Sequence, residues 1–342
     1  MTRVLHVSEA FGSGVVTAVI AFAANSPWAE HHLLVGVRPG AAIALPTNHP
    51  FKTITELPSG GISAIRKIRS AYKAIQPDVV HLHSSHAGAY GRLAGLPRHR
   101  LVYTPHCFSF ENTKQPTILR AGFYLAEQIL SLFGGNFAGV SPRECELARR
   151  MVGARRTALL PNFAVVPERE EIAACADSPK PLRGAMIGRL VPQKDPEFFL
   201  ATWQALRRET DQIQLTWIGG GDAHIEEEMR SAGVGVTGWI SQEELFPLLQ
   251  EMDFYVHTAA WEGNPMSVLE AAALGLPVVA RDIPSLRSIG LEALAKTPSD
   301  LARKIAGLRE ADAMLAAKEE SAALCERFSR ERQVAALQSL YR

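Results

Sequence analysis

The sequence predicts an α/β protein built as two doubly wound parallel-sheet domains, and three observations carry that prediction. At 342 residues the chain is too long for one ordinary domain and suits two. Short apolar strands alternate with amphipathic helices through both halves, the pattern of a parallel sheet covered on both faces. Between the halves, the stretch from Pro161 to Pro181 holds four prolines and a run of charges, as a linker does. The expected domains are therefore 1–164 and 165–342.

In the first half, Arg3–Ser8 reads as a strand, Val15–Ala24 as a helix and His32–Val37 as a second strand. Ile62–Ile75 places Ile62, Ile65, Ile68, Tyr72 and Ile75 on one helical face. Val79–His83 and Leu101–Thr104 follow as strands, Ile118–Leu132 as a helix and Asn136–Val140 as a strand. The second half supplies strands at Arg183–Ile187, Gln214–Ile218, Val234–Thr237, Phe254–His257 and Pro277–Ala280. Helices are expected near Glu197–Glu209, Asp222–Ala232, Gln242–Met252 and Pro265–Leu274, and from Ala313 onward with a break near Ser329. Ligands of such sheets bind beyond the carboxyl ends of the strands.

Composition narrows the function classes. With 47% hydrophobic and 21% charged residues, large cores form and disorder is not expected. No apolar run spans a bilayer; the longest, Val15 to Ala24, is too short and contains Thr17. The N-terminus enters a strand directly, so no signal peptide is expected, and four scattered cysteines fit reduced thiols in a cytoplasmic protein. Net charge is +1, but residues 1–165 carry 17 basic against 8 acidic side chains and residues 166–342 carry 19 against 27. Such asymmetry suits an anionic partner for the first half: membrane lipid, a phosphorylated substrate or the other half. The helix Ile62–Ile75 presents Arg66, Lys67, Arg69 and Lys73, which suit an anionic membrane surface or simply a solvated face. Nucleic acid is not an expected partner.

The loops after the strands carry the chemistry. Gly12-Ser-Gly14 follows the first strand and opens a helix, a seat for phosphate. It is only part of a dinucleotide fingerprint. Position 17 is Thr rather than Gly, and Val35-Gly-Val-Arg38 lacks the ribose-binding acid, so a nicotinamide dehydrogenase is disfavoured. Gly188-Arg-Leu-Val-Pro-Gln-Lys194 offers a planar guanidinium and a mobile ammonium, a pair that suits a diphosphate when it is not an ordinary surface pair. Gly219-Gly-Gly-Asp222 implies close backbone approach, to a ligand or within a tight turn. His81 and His83 share one face of a strand, as zinc ligands would, but no Asp, Glu or Cys nearby completes a set. No metal site is expected, and hydrogen-bonded histidines are the reading preferred there. His106, after the strand Leu101–Thr104, lies at a carboxyl end.

The most informative stretch runs from Trp261 to Ala280. Glu262 and Glu270, eight positions apart, flank a helix start among apolar neighbours. Pro265 is expected at the first helical position with Asn264 as its cap, and Gly275 and Pro277 end the helix. A carboxylate among Leu269, Ala271, Ala272 and Ala273 is costly to bury without a hydrogen-bond partner, and sugar hydroxyls are natural partners. The alternative makes Glu262 a loop acid and Glu270 a solvated helix acid.

Taken together, these segments resemble the retaining glycosyltransferases of family 4. The motifs in order are the Gly12–Gly14 loop, Asp78-Val-Val-His-Leu-His83, Tyr103-Thr-Pro-His106, Leu160-Pro-Asn162, Gly188–Lys194, Trp217-Ile-Gly-Gly-Gly221 and the Glu262…Glu270 segment. The resemblance implies the GT-B fold, two Rossmann-like domains facing each other across a cleft, with the acceptor on the N-terminal side and the last helix packing back on that domain. It implies a nucleoside-diphosphate sugar as donor, a UDP-sugar first and GDP-mannose second. The acceptor hydroxyl would belong to a carbohydrate or lipid-linked saccharide in polysaccharide or glycolipid biosynthesis, at the inner membrane face. Arg189 and Lys194 would grip the diphosphate and Gly14 would add a backbone contact. Glu270 would hold the ribose, Glu262 the transferred sugar, and His106 would lie near that sugar. Backbone amides from Gly263 through Asn264 and Pro265 to Met266 would face sugar and phosphate, Ser267 and Gly220 would also be donor-binding, and the base would lie against Gly238 and Ile240. No cofactor or divalent ion is implied. Two departures stand out: Asn264 replaces a bulky apolar residue, and Gly-Ser-Gly replaces a glycine pair. A nucleotide-sugar epimerase of the same fold and a non-catalytic nucleotide-sugar-binding protein are the alternatives.

Overall fold

The computed structural model describes residues 1–9, 14–36, 48–167 and 181–342. It divides into two compact units, Met1–Phe163 joined by Phe328–Arg342, and Ala164–Arg327. Gly12, Ser13, Val37, Arg38, Cys175 and most of the expected linker lie outside the described residues.

The first unit runs β1 (Thr2–Ser8), α1 (Gly14–Ala24), β2 (Ala29–Gly36), β3 (Phe51–Leu57), α2 (Gly61–Ile75), β4 (Val79–His83), α3 (Ser85–Leu93), β5 (Leu101–Thr104), α4 (Thr117–Ser131), β6 (Asn136–Gly139), α5 (Pro142–Val152) and β7 (Thr157–Leu159). Its seven-stranded parallel sheet has the order β3-β2-β1-β4-β5-β6-β7. The strands read as near-continuous apolar runs because helices cover both faces. One layer of core joins Leu5, Val80, Leu82, Tyr103 and Phe137 to Ile68 of α2. The opposite layer joins Val4, Phe22 and Val102 to Leu337 and Tyr341 near the carboxyl terminus. Arg92 of α3 is buried, with its guanidinium 2.8 Å from Glu127 of α4 and stacked 4.3 Å over the Tyr103 ring. This ion pair ties two helices together where apolar contact alone would not fix them.

The second unit runs β8 (Leu182–Ile187), α6 (Pro196–Glu209), β9 (Ile213–Ile218), α7 (Ala223–Ser231), β10 (Gly235–Val236), α8 (Gln242–Gln250), β11 (Phe254–His257), α9 (Met266–Ala273), β12 (Val278–Arg281), α10 (Pro284–Ser288), β13 (Leu294–Ala295), α11 (Pro298–Gly307) and α12 (Ala311–Arg327). Its six-stranded parallel sheet has the order β10-β9-β8-β11-β12-β13. Trp217 is fully buried and meets Phe199 of α6 edge to face at 5.1 Å. A last helix, α13 (Arg330–Leu340), packs in the first unit: Gln333 bonds Asn25 and the Pro161 carbonyl, at 2.7 and 2.8 Å.

Several expected boundaries shift. The strand expected at Val234–Thr237 shrinks to Gly235–Val236, and an isolated bridge pairs Gly219 with Gly238 beyond it. At α9, Pro265 is the residue before the helix rather than the first in it, and Asn264 does not cap it. β3, α3, α5, β7, α10, β13 and α11 were not anticipated. β7, α10 and β13 are short, whereas α5 and α11 are amphipathic helices of 11 and 10 residues.

Candidate functional site

Both sheets reverse strand order once, between β1 and β4 and between β8 and β11. At such a switch point the two outgoing loops diverge and leave a crevice beyond the strand ends. In the second unit those loops are 188–195, leaving β8, and 258–265, leaving β11. The expected donor residues Arg189, Lys194, Glu262, Gly263 and Asn264 all lie on them.

The first loop is held in several ways. Trp217 Nε1 donates to the Gly188 carbonyl at 2.8 Å, and Leu190 N donates to Gly220 O at 3.0 Å. A Cβ on Gly219, whose φ is 132°, would come within 2.2 Å of Gly188 O. The triple glycine therefore serves close packing of two loops. At Gly188 the constraint is a side chain instead. A Cβ there would lie 2.9 Å from Lys194 Cγ, so its bareness admits the lysine stem. Thr258 Oγ1 donates to the Lys194 carbonyl at 3.1 Å, and the half-buried Lys194 is thereby pinned to the end of β11.

Lys194 Nζ lies 2.6 Å from Glu262 Oε1, and Gln193 Nε2 donates to Glu262 Oε2 at 3.3 Å. His257 Nε2 is 3.7 Å from the same Oε1. Glu262 is only 8% exposed. Burial raises its pKa, but the Lys194 charge and the His257 contact outweigh burial and hold it at about 2. Glu262 is thus an ionised buried acid on its loop, not a solvated one. Glu270, in the second turn of α9, is equally buried, and no side chain or backbone donor bonds its carboxylate among the described residues. Burial raises its pKa to about 7, against a lesser lowering by Lys194. Two carboxyls at one crevice are thereby driven apart, one fixed as an anion and one poised near neutrality.

Behind them, Tyr255 donates to Ser267 Oγ at 2.9 Å and meets His257 Nδ1 at 3.2 Å. Ser267 is thus tied to the sheet. Burial lowers the His257 pKa and raises that of Tyr255, so both are neutral at pH 7. His257, Tyr255 and Gln193 escaped the sequence reading; the signal available was their place at the end of a central strand and beside Lys194. One expectation is corrected at Pro265, which has no N–H and so offers no amide to a ligand. The amides at the α9 start come from Met266 and Ser267, whose N–H groups the helix itself does not use. Gly220 is buried, while Gly238 and Ile240 flank Trp239, which is 68% exposed.

Gly14 and His106 belong to the first unit. Gly14 is the exposed first residue of α1. His106 follows β5 in the left-handed region, with φ of 56°, a conformation that costs a non-glycine residue and concentrates at functional sites. Its Nε2 lies 3.1 Å from His83 Nδ1, and burial of its ring lowers its pKa to about 3. His6, His81 and His83 bring ring nitrogens within 4.8 Å of one another, as metal ligands would. Every ring nitrogen of the three already has a hydrogen-bond partner: His31 and His83 for His6, Tyr341 and Thr104 for His81, His6 and His106 for His83.

Two family models match the chain, a glycosyl transferase 4-like domain over residues 2–162 and glycosyl transferases group 1 over residues 182–311. Among curated proteins, it is 24% identical over 252 residues to the UDP-Gal:alpha-D-GlcNAc-diphosphoundecaprenol alpha-1,3-galactosyltransferase of Escherichia coli, covering 65% of this chain and 63% of that one. It is 28% identical over 247 residues to a GDP-mannose-dependent alpha-mannosyltransferase of Mycolicibacterium smegmatis, covering 68% and 62%. The matches thus span less than two thirds of either relative. Among solved structures, Anabaena HepE in complex with UDP-glucose superposes with a TM-score of 0.76 at 16% identity, covering 99% of both chains. The chain belongs to the glycosyltransferases of the family 4 kind and has the GT-B fold.

Proposed function

We propose that this glycosyltransferase moves a hexosyl group from a UDP-sugar to an acceptor hydroxyl with retention and without a metal ion, in polysaccharide or glycolipid biosynthesis. The observation that carries the reading is the crevice between β8 and β11, where a buried anion paired with Lys194 stands beside a second buried acid that lacks a partner. Glu270 takes the ribose hydroxyls, which supply the hydrogen bonds its burial demands. Arg189, Lys194 and the Met266 and Ser267 amides oppose charge on the departing diphosphate, the largest electrostatic demand of the reaction. Glu262, released in part from Lys194 by the arriving phosphate, orients sugar hydroxyls. Gly263 and Asn264 shape the sugar pocket, Gly220 lies nearby, and the base rests against Gly238 and Ile240. In the first unit Gly14 supplies a backbone phosphate contact and His106 a sugar contact. A phosphate oxygen takes the acceptor proton as the acceptor attacks from the face the diphosphate leaves.

The acceptor is a lipid-linked saccharide, and the protein works peripherally at the cytoplasmic face of a membrane. Supporting this, α2 carries Arg66, Lys67, Arg69 and Lys73, and Ile118 of α4 and Leu132 just after it are more than two-thirds exposed, at 84% and 71%. Among the described residues no helix is long and apolar enough to cross a membrane. The test of the donor reading is a thermal-shift series with UDP, UDP-glucose, GDP, GDP-mannose and ADP. A ligand that favours the folded state raises its melting point, by an amount set by its affinity. UDP and UDP-glucose should give the largest rise. A larger rise with GDP-mannose would move the assignment to a mannosyl donor, and no rise with any of the five would overturn the nucleotide-sugar reading.

A further inference from the structure

A row of histidines crosses the first sheet and has no part in the transfer as proposed so far. His31 on β2, His6 on β1, His83 on β4 and His106 after β5 are joined ring to ring at 3.0, 3.0 and 3.1 Å. His31, His6 and His83 are buried, and His106 retains some exposure. Burial lowers the pKa of every member, so each ring is neutral and carries one N–H and one lone pair.

The direction of the row follows from its inner end. His31 Nε2 lies 3.1 Å from the Ser26 carbonyl and 3.1 Å from Ser26 Oγ. Ser26 Oγ gives its single proton to the Phe22 carbonyl at 2.6 Å. Both Ser26 oxygens therefore only accept, and His31 carries its proton on Nε2. His31 Nδ1 is then a lone pair that must receive from His6 Nε2. By the same step His6 Nδ1 receives from His83 Nε2, and His83 Nδ1 receives from His106 Nε2. The row ends on a carbonyl, which leaves an incoming proton no exit, so it orients rather than conducts.

We propose that His31, His6 and His83 are positioning residues that lock His106 in its Nε2–H tautomer. Its Nδ1 is then a bare acceptor, suited to a sugar hydroxyl and opposed to a phosphate oxygen. This rests on the sugar-contact role proposed above for His106. The remaining histidine of the cluster, His81, bonds Tyr341 and Thr104 at 2.8 Å each and belongs to no link.

The test has two parts. Long-range ¹H–¹⁵N spectra of the ligand-free full chain with ¹⁵N-histidine should show His31, His6, His83 and His106 all protonated on Nε2 alone. A proton on His106 Nδ1, or a charged ring in the row, overturns the lock, as does stoichiometric zinc in the purified protein held by His6, His81 and His83. Titration calorimetry then compares UDP with UDP-glucose. His6→Gln should leave UDP affinity unchanged and reduce the extra affinity for UDP-glucose about fivefold, the worth of one hydrogen bond, while mixing the His106 tautomers. His81→Gln removes an equally buried ring and should do neither. Equal effects of both variants, or an unmixed His106 in His6→Gln, overturn the lock. If His6→Gln does not fold, the wild-type spectrum decides alone. If the spectrum shows the tautomers but UDP-glucose does not bind, the donor reading fails and the lock stands.

Discussion

Replacing Lys194 by Met tests the core of the donor crevice, because it takes the cation from a buried acid while keeping the stem. In the folded protein Glu262 titrates at about 2 instead of the ordinary 4.5. At 1.36 kcal/mol per pKa unit this is about 3 kcal/mol of stability at neutral pH. The folded value is depressed, so the contribution is present above pH 4.5 and is lost as pH falls toward 2. Without Lys194 the burial penalty dominates, and Glu270, equally buried and more weakly influenced by that lysine, gives the measure of it at about 7. Glu262 would then oppose folding at pH 8 instead of supporting it. Structural relaxation trims the swing, and breaking a buried pair costs about 3–5 kcal/mol. The expected loss is about 4 kcal/mol at pH 8, or a fall in melting temperature of about 8–16 °C for a domain of this size. At pH 5 the variant acid is protonated and the loss should shrink to about half. Thermal denaturation at both pH values measures it, with Lys194→Met/Glu262→Gln expected to recover most of the loss. A shift below about 1 kcal/mol that is the same at both pH values would refute the reasoning.

Arg189→Ala should lower sugar transfer about 100- to 1,000-fold, the scale for removing one preorganised charge contact; full activity would remove Arg189 from leaving-group stabilisation. Glu270 has a raised folded pKa, so its protonated form supports the fold, and that support is lost as pH rises through about 7. Glu270→Gln should therefore stabilise the protein at pH 8, by at most about 3 kcal/mol, while UDP affinity, expected to rise between pH 6 and 8 in the parent protein, should become weak and flat with pH. Replacing Arg66, Lys67, Arg69 and Lys73 together by Gln should abolish sedimentation with phosphatidylglycerol vesicles, each cation being worth about 1 kcal/mol near such a surface; unchanged sedimentation would exclude α2 as the docking face.

The fold was legible where apolar runs are long. β1, β4, β8 and β11 were placed to within a residue or two, because strands buried on both faces read as unbroken hydrophobic segments. The two-residue strand β13 and the five-residue α10 were not, since so few residues carry no period. α5 escaped for another reason. Its sequence is strongly polar, and Glu144 within it is buried against the Val140 amide, which no hydrophobic pattern announces. At the candidate site the residue types and their spacing pointed to Arg189, Lys194, Glu262 and Glu270. What spacing could not show was that Lys194 and Glu262, 68 positions apart, form one pair.

That pair stands on the loops leaving β8 and β11, beyond the strand ends, whereas the histidine row crosses β2, β1 and β4 inside its sheet, covered by Phe22 of α1 and by Tyr341. At a switch point the loops leaving adjacent strands turn away from each other, so strand-end side chains there lack the helix cover that the rest of the sheet receives. Polar groups set in such a gap must satisfy one another or wait for a ligand. In the first unit the imidazoles satisfy one another: every ring nitrogen of His6, His81 and His83 is used within the protein, and of His106 only Nδ1 is outside the row. The second unit has left more undone, with one acid paired to a lysine and another only weakly eased by that lysine's charge. The unit with the larger unmet demand is the one expected to hold the charged part of the donor. In the reading proposed above, the sugar, which carries hydroxyls and no charge, would meet the neutral acceptor nitrogen of His106.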